Sequence, residues 1–183
     1  MKKIILASSS PRRKELMSTA GLDFEIIVKE VDESIPDGTS PVDAAKMTAK
    51  KKALAVAKDF ENCTVIGADT IVVTDGKILG KPVDKEDACR MLRMLSGIEH
   101  EVITGVCIAS GEKIDNFAVT SKVKFYELTD EEIEAYVATG EPMDKAGSYG
   151  IQGRGCTLVE RIEGDYFNIV GLPVAEVCRK INA

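Results

Sequence analysis

One apolar stretch, VIGADTIVV at residues 65–73, constrains the fold more than any other part of the sequence. A short apolar run of this kind predicts a strand buried inside a sheet. Asp69 lies in its middle, and a buried carboxylate needs a cation or hydrogen-bond donors beside it. The Asp75-Gly76 pair then predicts a turn into a short returning strand. The fold must therefore contain a buried strand that carries a partnered charge.

Predicted strands occur both in alternation with helices and as adjacent hairpins. The predicted helices span about 10–20, 40–60, 84–95, 129–139 and 172–181, and most begin at a Ser, Thr or Asp that suits an N-cap. A second strand is expected at Phe24 to Val28, and two long antiparallel strands are expected to join at Ser110-Gly111. This mixture predicts an α/β fold with a mixed sheet. The length of 183 residues suits one domain, or one domain with two lobes.

Composition and net charge exclude several classes of protein. The net charge of −6 argues against a general nucleic-acid binder, and the single histidine, His100, excludes multi-histidine zinc sites. Five dispersed cysteines without a C-x-x-C pair indicate reduced thiols rather than a disulfide framework. The first apolar run is too short for a signal peptide, and no segment is long enough to span a bilayer. We therefore expect a cytoplasmic protein with no nucleic-acid or membrane partner.

The stretch SSSPRR at residues 8–13 places two arginines at the start of a predicted helix. Ser10 suits the N-cap and Pro11 the first helical position, so Arg12 and Arg13 fall in the first turn. Cations are unfavourable there because the helix dipole is positive at that end. A bound polyanion would compensate, and the hydroxyl of Ser8, the backbone amides and the guanidinium groups would form a phosphate cradle. The alternative is a solvated basic turn.

Further polar residues could complete a ligand site. Lys52, beside the apolar stripe of the helix over 40–60, and Lys81, in LGKP, are candidate phosphate partners, although each alone is more often a surface lysine. Gln152, in the glycine-rich stretch YGIQGRG, could read a base edge because an amide offers both a donor and an acceptor.

Asp69 has three interpretations: a salt-bridged structural residue, a metal ligand, or a base that activates water. Thr70 follows it and points to the opposite face of the strand, so the two residues need not share one role. Three loop carboxylates are usually merely solvated, but around Asp69 they could hold a hard divalent cation: Asp32, Glu33 and Asp84. Cations for phosphates, carboxylates for a metal and water, and an amide for a base suit metal-assisted cleavage of a nucleotide phosphoanhydride. No Walker A motif is present, so a P-loop ATPase is not supported.

Five stretches follow one another along the chain: LASSSPRRKEL, AKKKALAVA, the long run from GADTIVV to VITGV, DKAGSYGIQGRG and EGDYFNIVGLP. Together they resemble the Maf family of nucleoside triphosphate pyrophosphatases. The resemblance covers nearly the whole chain and implies a single domain over residues 1–183. It implies an inosine-triphosphatase-like fold, with an elongated mixed sheet flanked by helices and two lobes around a central cleft. It also implies hydrolysis of the α–β phosphate linkage, to a nucleoside monophosphate and pyrophosphate, with Mg²⁺, Mn²⁺ or Co²⁺.

The resemblance implies roles for individual residues. Asp69 matches the proton acceptor, and Arg12, Thr70 and Gln152 match positions tied to base selection. The expected metal ligands are Asp69 together with Glu33, Asp84 or both. The polar positions implied to line the cleft are Ser8, Arg13, Glu33, Lys52, Lys81 and Asp84.

Substrate choice follows from the same motifs. SPRR with GADT and GIQG resembles the branch that acts on dTTP and UTP, whereas the 7-methyl-GTP branch carries a tryptophan after the proline, and this chain has no tryptophan. Two alternatives stay open: a non-enzymatic nucleotide-binding regulator of cell division, and a pyrophosphatase for 7-methyl-GTP or other modified nucleotides. The oligomeric state is also open, a homodimer included.

Overall fold

The computed structural model describes residues 2–182. Its strands are β1 (Ile4–Leu6), β2 (Phe24–Ile26), β3 (Thr64–Thr74), β4 (Lys77–Leu79), β5 (Glu99–Ser110), β6 (Lys113–Phe125) and β7 (Val159–Glu163). Its α-helices are α1 (Pro11–Thr19), α2 (Pro41–Ala57), α3 (Lys85–Leu95), α4 (Asp130–Ala138), α5 (Tyr166–Val170) and α6 (Val174–Ile181). Short 3₁₀ helices lie at Glu141–Asp144, Ala146–Ser148 and Gly153–Leu158. None of the helices in this part of the chain has the length and apolar character needed to cross a bilayer.

The strands form one mixed sheet in the order β2-β1-β3-β5-β6-β7, with β4 paired to β3. β1 runs parallel to both β2 and β3, whereas β4 and β7 run antiparallel to β3 and β6. The predicted α/β fold with a mixed sheet is therefore confirmed. β3 contains the apolar stretch that carries Asp69, and it pairs with neighbours on both sides, as a buried strand does.

Local capping sets the helix starts. The side chains of Ser10, Ser40, Asp84 and Thr129 each accept a hydrogen bond from the amide three residues later, at the starts of α1, α2, α3 and α4. Two predicted ends are wrong by a few residues. α2 stops at Ala57 instead of about Phe60 because the chain continues in tight turns, with the Phe60 amide bonded to the Ala57 carbonyl. β2 ends at Ile26 rather than Val28.

The chain divides into two compact units. The first comprises the residues up to 70, 104–119 and those from 171 onward. Its core packs Ile5 and Val65 of the sheet against Ala49, Ala53 and Val56 of α2.

Glycine lets α2 lie directly on the strands of this unit. A Cβ at Gly67 would come within 2.5 Å of the Ala49 carbonyl oxygen, and one at Gly105 within 2.3 Å of that of Ala45. No side chain fits between the helix and these strands, so α2 is held at the closest approach that backbones allow.

The second unit comprises residues 71–103 and 120–170. His100, Phe125 and Tyr149 form a buried aromatic cluster in which each pair of rings meets edge to face, with centroids 4.7–5.4 Å apart. The hydroxyl of Tyr149 lies 2.7 Å from His100 Nε2. Edge-to-face aromatic pairs of this geometry stabilise the unit by more than the burial of their apolar surface alone would.

Candidate active site

Arg13 is buried, and each of its three nitrogen positions donates a hydrogen bond. Nε donates to the carbonyl of Gly171 at 2.7 Å, and the two terminal nitrogens donate to Ser8 Oγ at 3.0 Å and Thr70 Oγ1 at 2.9 Å. Burial lowers the pKa of Arg13 to about 10, although the nearby charge of Asp69 acts to raise it, so the guanidinium is charged at neutral pH. Neutral acceptors therefore hydrogen-bond this cation at the positive end of α1, and the carboxylates whose charges act on it are those of Asp69 and Glu33.

Thr70 links this arginine to the next strand of the sheet. Its Oγ1 lies 2.9 Å from Oγ1 of the fully buried Thr104 in β5, and 3.4 Å from the Gly171 carbonyl. Sequence reasoning missed Thr104 and Gly171. The only signal for Thr104 was a hydroxyl residue inside the apolar strand VITGV.

Asp69 faces a different group. Lys52 Nζ lies 2.8 Å from Asp69 Oδ1 and 3.1 Å from Glu33 Oε1, so one ammonium bridges two carboxylates. The side chains of Lys52 and Asp69 are 19% and 20% exposed, whereas that of Glu33 is more than half exposed. The charge inside β3 thus has the cationic partner that its position demands, and solvent or a ligand can still reach it.

The carboxylate oxygens around Lys52 provide some of the ligands that a hard divalent cation needs. Within residues 2–182, no group of three or more His, Cys, Asp or Glu side chains is close enough to hold a metal ion. Glu33 and Asp69 nevertheless converge on one positive charge, and Mg²⁺ is commonly held by one or two carboxylates, with substrate phosphates and water completing its shell. These two residues therefore fit such an ion, while Asp84 caps α3 by accepting the Asp87 amide at 2.8 Å.

The remaining predicted residues are distributed over the two units. Arg12 is half-buried in the first turn of α1, in the first unit. Lys81, Asp84 and Gln152 belong to the second unit: Lys81 and Asp84 are exposed, and Gln152 is half-buried directly before the 3₁₀ helix Gly153–Leu158. The first unit thus brings together Ser8, Arg13, Glu33, Lys52, Asp69 and Thr70.

Comparison with known proteins finds one matching family model and relatives that are similar over nearly the whole chain. A family model described as Maf-like protein matches residues 3–183. A dTTP/UTP pyrophosphatase of Geobacillus sp. (strain WCH70) is 55% identical over 99% of this chain and 97% of its own, and one of Bacillus cytotoxicus is 54% identical over 99% and 95%. The solved Staphylococcus aureus Ham1 protein covers 68% of this chain and 72% of its own at 17% identity and a TM-score of 0.46, too low a likeness to support an argument. The sequence likeness, by contrast, extends over nearly the whole chain.

Proposed function

The chain belongs to the Maf family, and we propose that it hydrolyses dTTP and UTP to the nucleoside monophosphate and pyrophosphate. Relatives that carry the name dTTP/UTP pyrophosphatase and share 54–55% of its residues over nearly its full length support the substrate class. The observation that carries the chemistry is the 2.8 Å pair of Lys52 and Asp69, next in β3 to the Thr70 that binds Arg13. The two cations thus lie beside consecutive positions of β3, and phosphoanhydride hydrolysis uses cations to neutralise phosphate charge and a carboxylate to activate water.

In the proposed reaction Asp69 is the proton acceptor. A water molecule attacks phosphorus at the α–β linkage, its proton passes to an Asp69 oxygen, the bond to the bridging oxygen breaks, and pyrophosphate leaves. Lys52 and Arg13 neutralise phosphate charge, with Lys81 as a further proposed partner. Glu33 and Asp69 would hold a divalent cation such as Mg²⁺, Mn²⁺ or Co²⁺, with Asp84 a further proposed ligand, and this cation would neutralise phosphate charge and acidify water.

Base selection is proposed for Arg12, Thr70 and Gln152. Uracil and thymine present an N–H between two carbonyl oxygens, and an amide can accept from that N–H while donating to one of the oxygens. The side chain of Gln152 makes no capping bond to the 3₁₀ helix that follows it, so the proposed contact with the base does not compete with a cap.

Replacement of Asp69 by Asn tests the proposed proton acceptor. Because an amide cannot take the proton from water, we expect Asp69→Asn to lower the kcat for dTTP by roughly 10²- to 10⁴-fold. The measurements are pyrophosphate release with Mg²⁺ or Mn²⁺ present and the Kd for dTTP, which we expect to change little.

The matched control is Asp23→Asn, the same change at an exposed position of the first unit. Near-normal hydrolysis by Asp69→Asn would show that another group takes the proton. If the unaltered protein binds dTTP without releasing pyrophosphate, it is a nucleotide-binding protein and not a pyrophosphatase. A preference for 7-methyl-GTP over dTTP and UTP would instead overturn the substrate class.

A further inference from the structure

We propose that Glu141 is a positioning residue for base selection, because its carboxylate holds the segment 150–155 in the conformation that presents the Gln152 amide. The inference rests on the proposed function, in which Gln152 reads the pyrimidine. Every group in the argument lies in the second unit.

The Glu141 carboxylate binds the chain on the C-terminal side of Gln152. Its Oε2 accepts the backbone N–H of Arg154 at 3.0 Å, and its Oε1 accepts that of Gly155 at 3.1 Å. Hydrogen bonds from N–H groups to an ionised carboxylate are about twice as strong as neutral ones. Burial acts to raise the pKa of Glu141, but the hydrogen bonds from these amides and from Tyr136 outweigh it, so the group is charged at neutral pH.

Tyr136 extends the same network to the N-terminal side of Gln152. Its buried hydroxyl donates to Glu141 Oε1 at 3.0 Å and accepts the backbone N–H of Gly150 at 3.2 Å. The segment is therefore held two residues before and two and three residues after Gln152. The amides of Arg154 and Gly155 bond the Glu141 carboxylate directly, and that of Gly150 bonds the phenol that donates to it.

The glycines of this segment show how closely it passes over Glu141. Gly153 has a φ of +62°, and a Cβ there would lie 2.7 Å from Glu141 Oε2. A Cβ at Gly155 would lie 2.0 Å from the Gly150 carbonyl oxygen and 2.8 Å from the Tyr136 hydroxyl. The segment thus passes so close to the carboxylate, the phenol and its own Gly150 carbonyl that a Cβ at Gly153 or Gly155 would force a shift.

The experiment compares Glu141→Gln with Gln152→Ala and with the double variant. A glutamine keeps the shape of the side chain, but its NH₂ group meets an N–H donor, so at least one anchoring bond is lost. We expect the kcat/KM for dTTP to fall roughly tenfold, about the cost of losing one charge-assisted hydrogen bond, while that for dATP changes less than about twofold. Where dATP turnover is too slow, its Ki against dTTP replaces the kcat/KM.

The double variant separates positioning from general damage. If Glu141 acts through Gln152, Glu141→Gln causes little further loss of dTTP preference once residue 152 is alanine. Glu131→Gln is the matched control, since it makes the same change on an exposed face of α4 and should leave both substrates unaffected.

Other outcomes would overturn the inference. An equal loss for dTTP and dATP, or losses that add in the double variant, would make Glu141 a structural residue only. If Glu141→Gln does not fold, Tyr136→Phe removes the hydroxyl that joins Gly150 to the carboxylate, and the same criteria apply to it. An unaltered protein that shows no preference for dTTP would overturn the proposed function instead, and a clear preference that survives Glu141→Gln would overturn this inference alone.

Discussion

At the scale of single residues, neighbouring side chains of β3 bind different partners. Asp69 pairs with Lys52, whereas Thr70 binds Arg13 and Thr104, because a strand turns successive side chains to opposite faces. The proposed proton transfer and the proposed base selection therefore depend on adjacent residues with different hydrogen-bond partners. We expect substitutions to separate the two properties: changes at Asp69 alter kcat, and changes at base-selecting positions alter which triphosphate is preferred.

Gln152→Glu tests base selection at this scale. A carboxylate keeps the acceptor but loses the donor, so we expect the kcat/KM for dTTP and UTP to fall roughly tenfold relative to other triphosphates. The measurement is pyrophosphate release across a panel that includes dCTP, dGTP and 7-methyl-GTP. Asn62→Asp makes the same amide-to-acid change at an exposed turn and serves as the control. An unchanged substrate profile would refute the role of Gln152.

At the scale of elements, helix starts were predictable and long-range partners were not. Each cap of α1 to α4 bonds an amide only three residues away, so its signal lies within a few letters of sequence. The carbonyl that accepts from Arg13 lies 158 residues away, and Thr104 lies 34 residues from Thr70. Such partners are decided by strand order and by how the chain returns, which no local pattern specifies. The approach of Lys52 to Asp69 likewise depends on the packing of α2.

Gly67→Ala tests that packing. Its Cβ would sit 2.5 Å from the Ala49 oxygen and 2.7 Å from the Ala53 nitrogen, so α2 must move away from β3. We expect the free energy of unfolding in urea to fall by about 1–3 kcal/mol. The kcat should fall with it, because the helix carries Lys52 away from Asp69.

Gly80→Ala is the control for the unfolding measurement, since a Cβ there meets nothing within 4 Å. Equal stability of the two variants would contradict the close contact between α2 and β3.

At the scale of the whole molecule, one titrating group links pH to stability. His100 is the only histidine, and burial lowers its pKa to about 4, although Glu99 acts to raise it. Above the ordinary pKa of 6.5 both states are neutral and the histidine adds no pH dependence. As pH falls from 6.5 towards 4, His100 becomes protonated in the unfolded chain but stays neutral in the folded protein, so the free energy of unfolding decreases.

Unfolding in urea at pH 7 and pH 5 measures this linkage. The shift predicts that His100 removes about 2 kcal/mol of stability between those values. His100→Gln should be less stable than the unaltered protein at pH 7, because it disturbs the contact with Tyr149, but it should lose less stability on acidification. An identical loss in both proteins would mean that His100 is not responsible.

The bond between Arg13 Nε and the Gly171 carbonyl joins two residues that lie 158 positions apart in the sequence. A ribosome-bound chain that stops before residue 171 has its arginine but not the carbonyl that holds it. At typical rates of synthesis of about 5–20 residues per second, many seconds separate the synthesis of Arg13 from that of Gly171. The full set of hydrogen bonds from Arg13 therefore forms only after residue 171 has been synthesised, and a shorter chain leaves Nε without this acceptor.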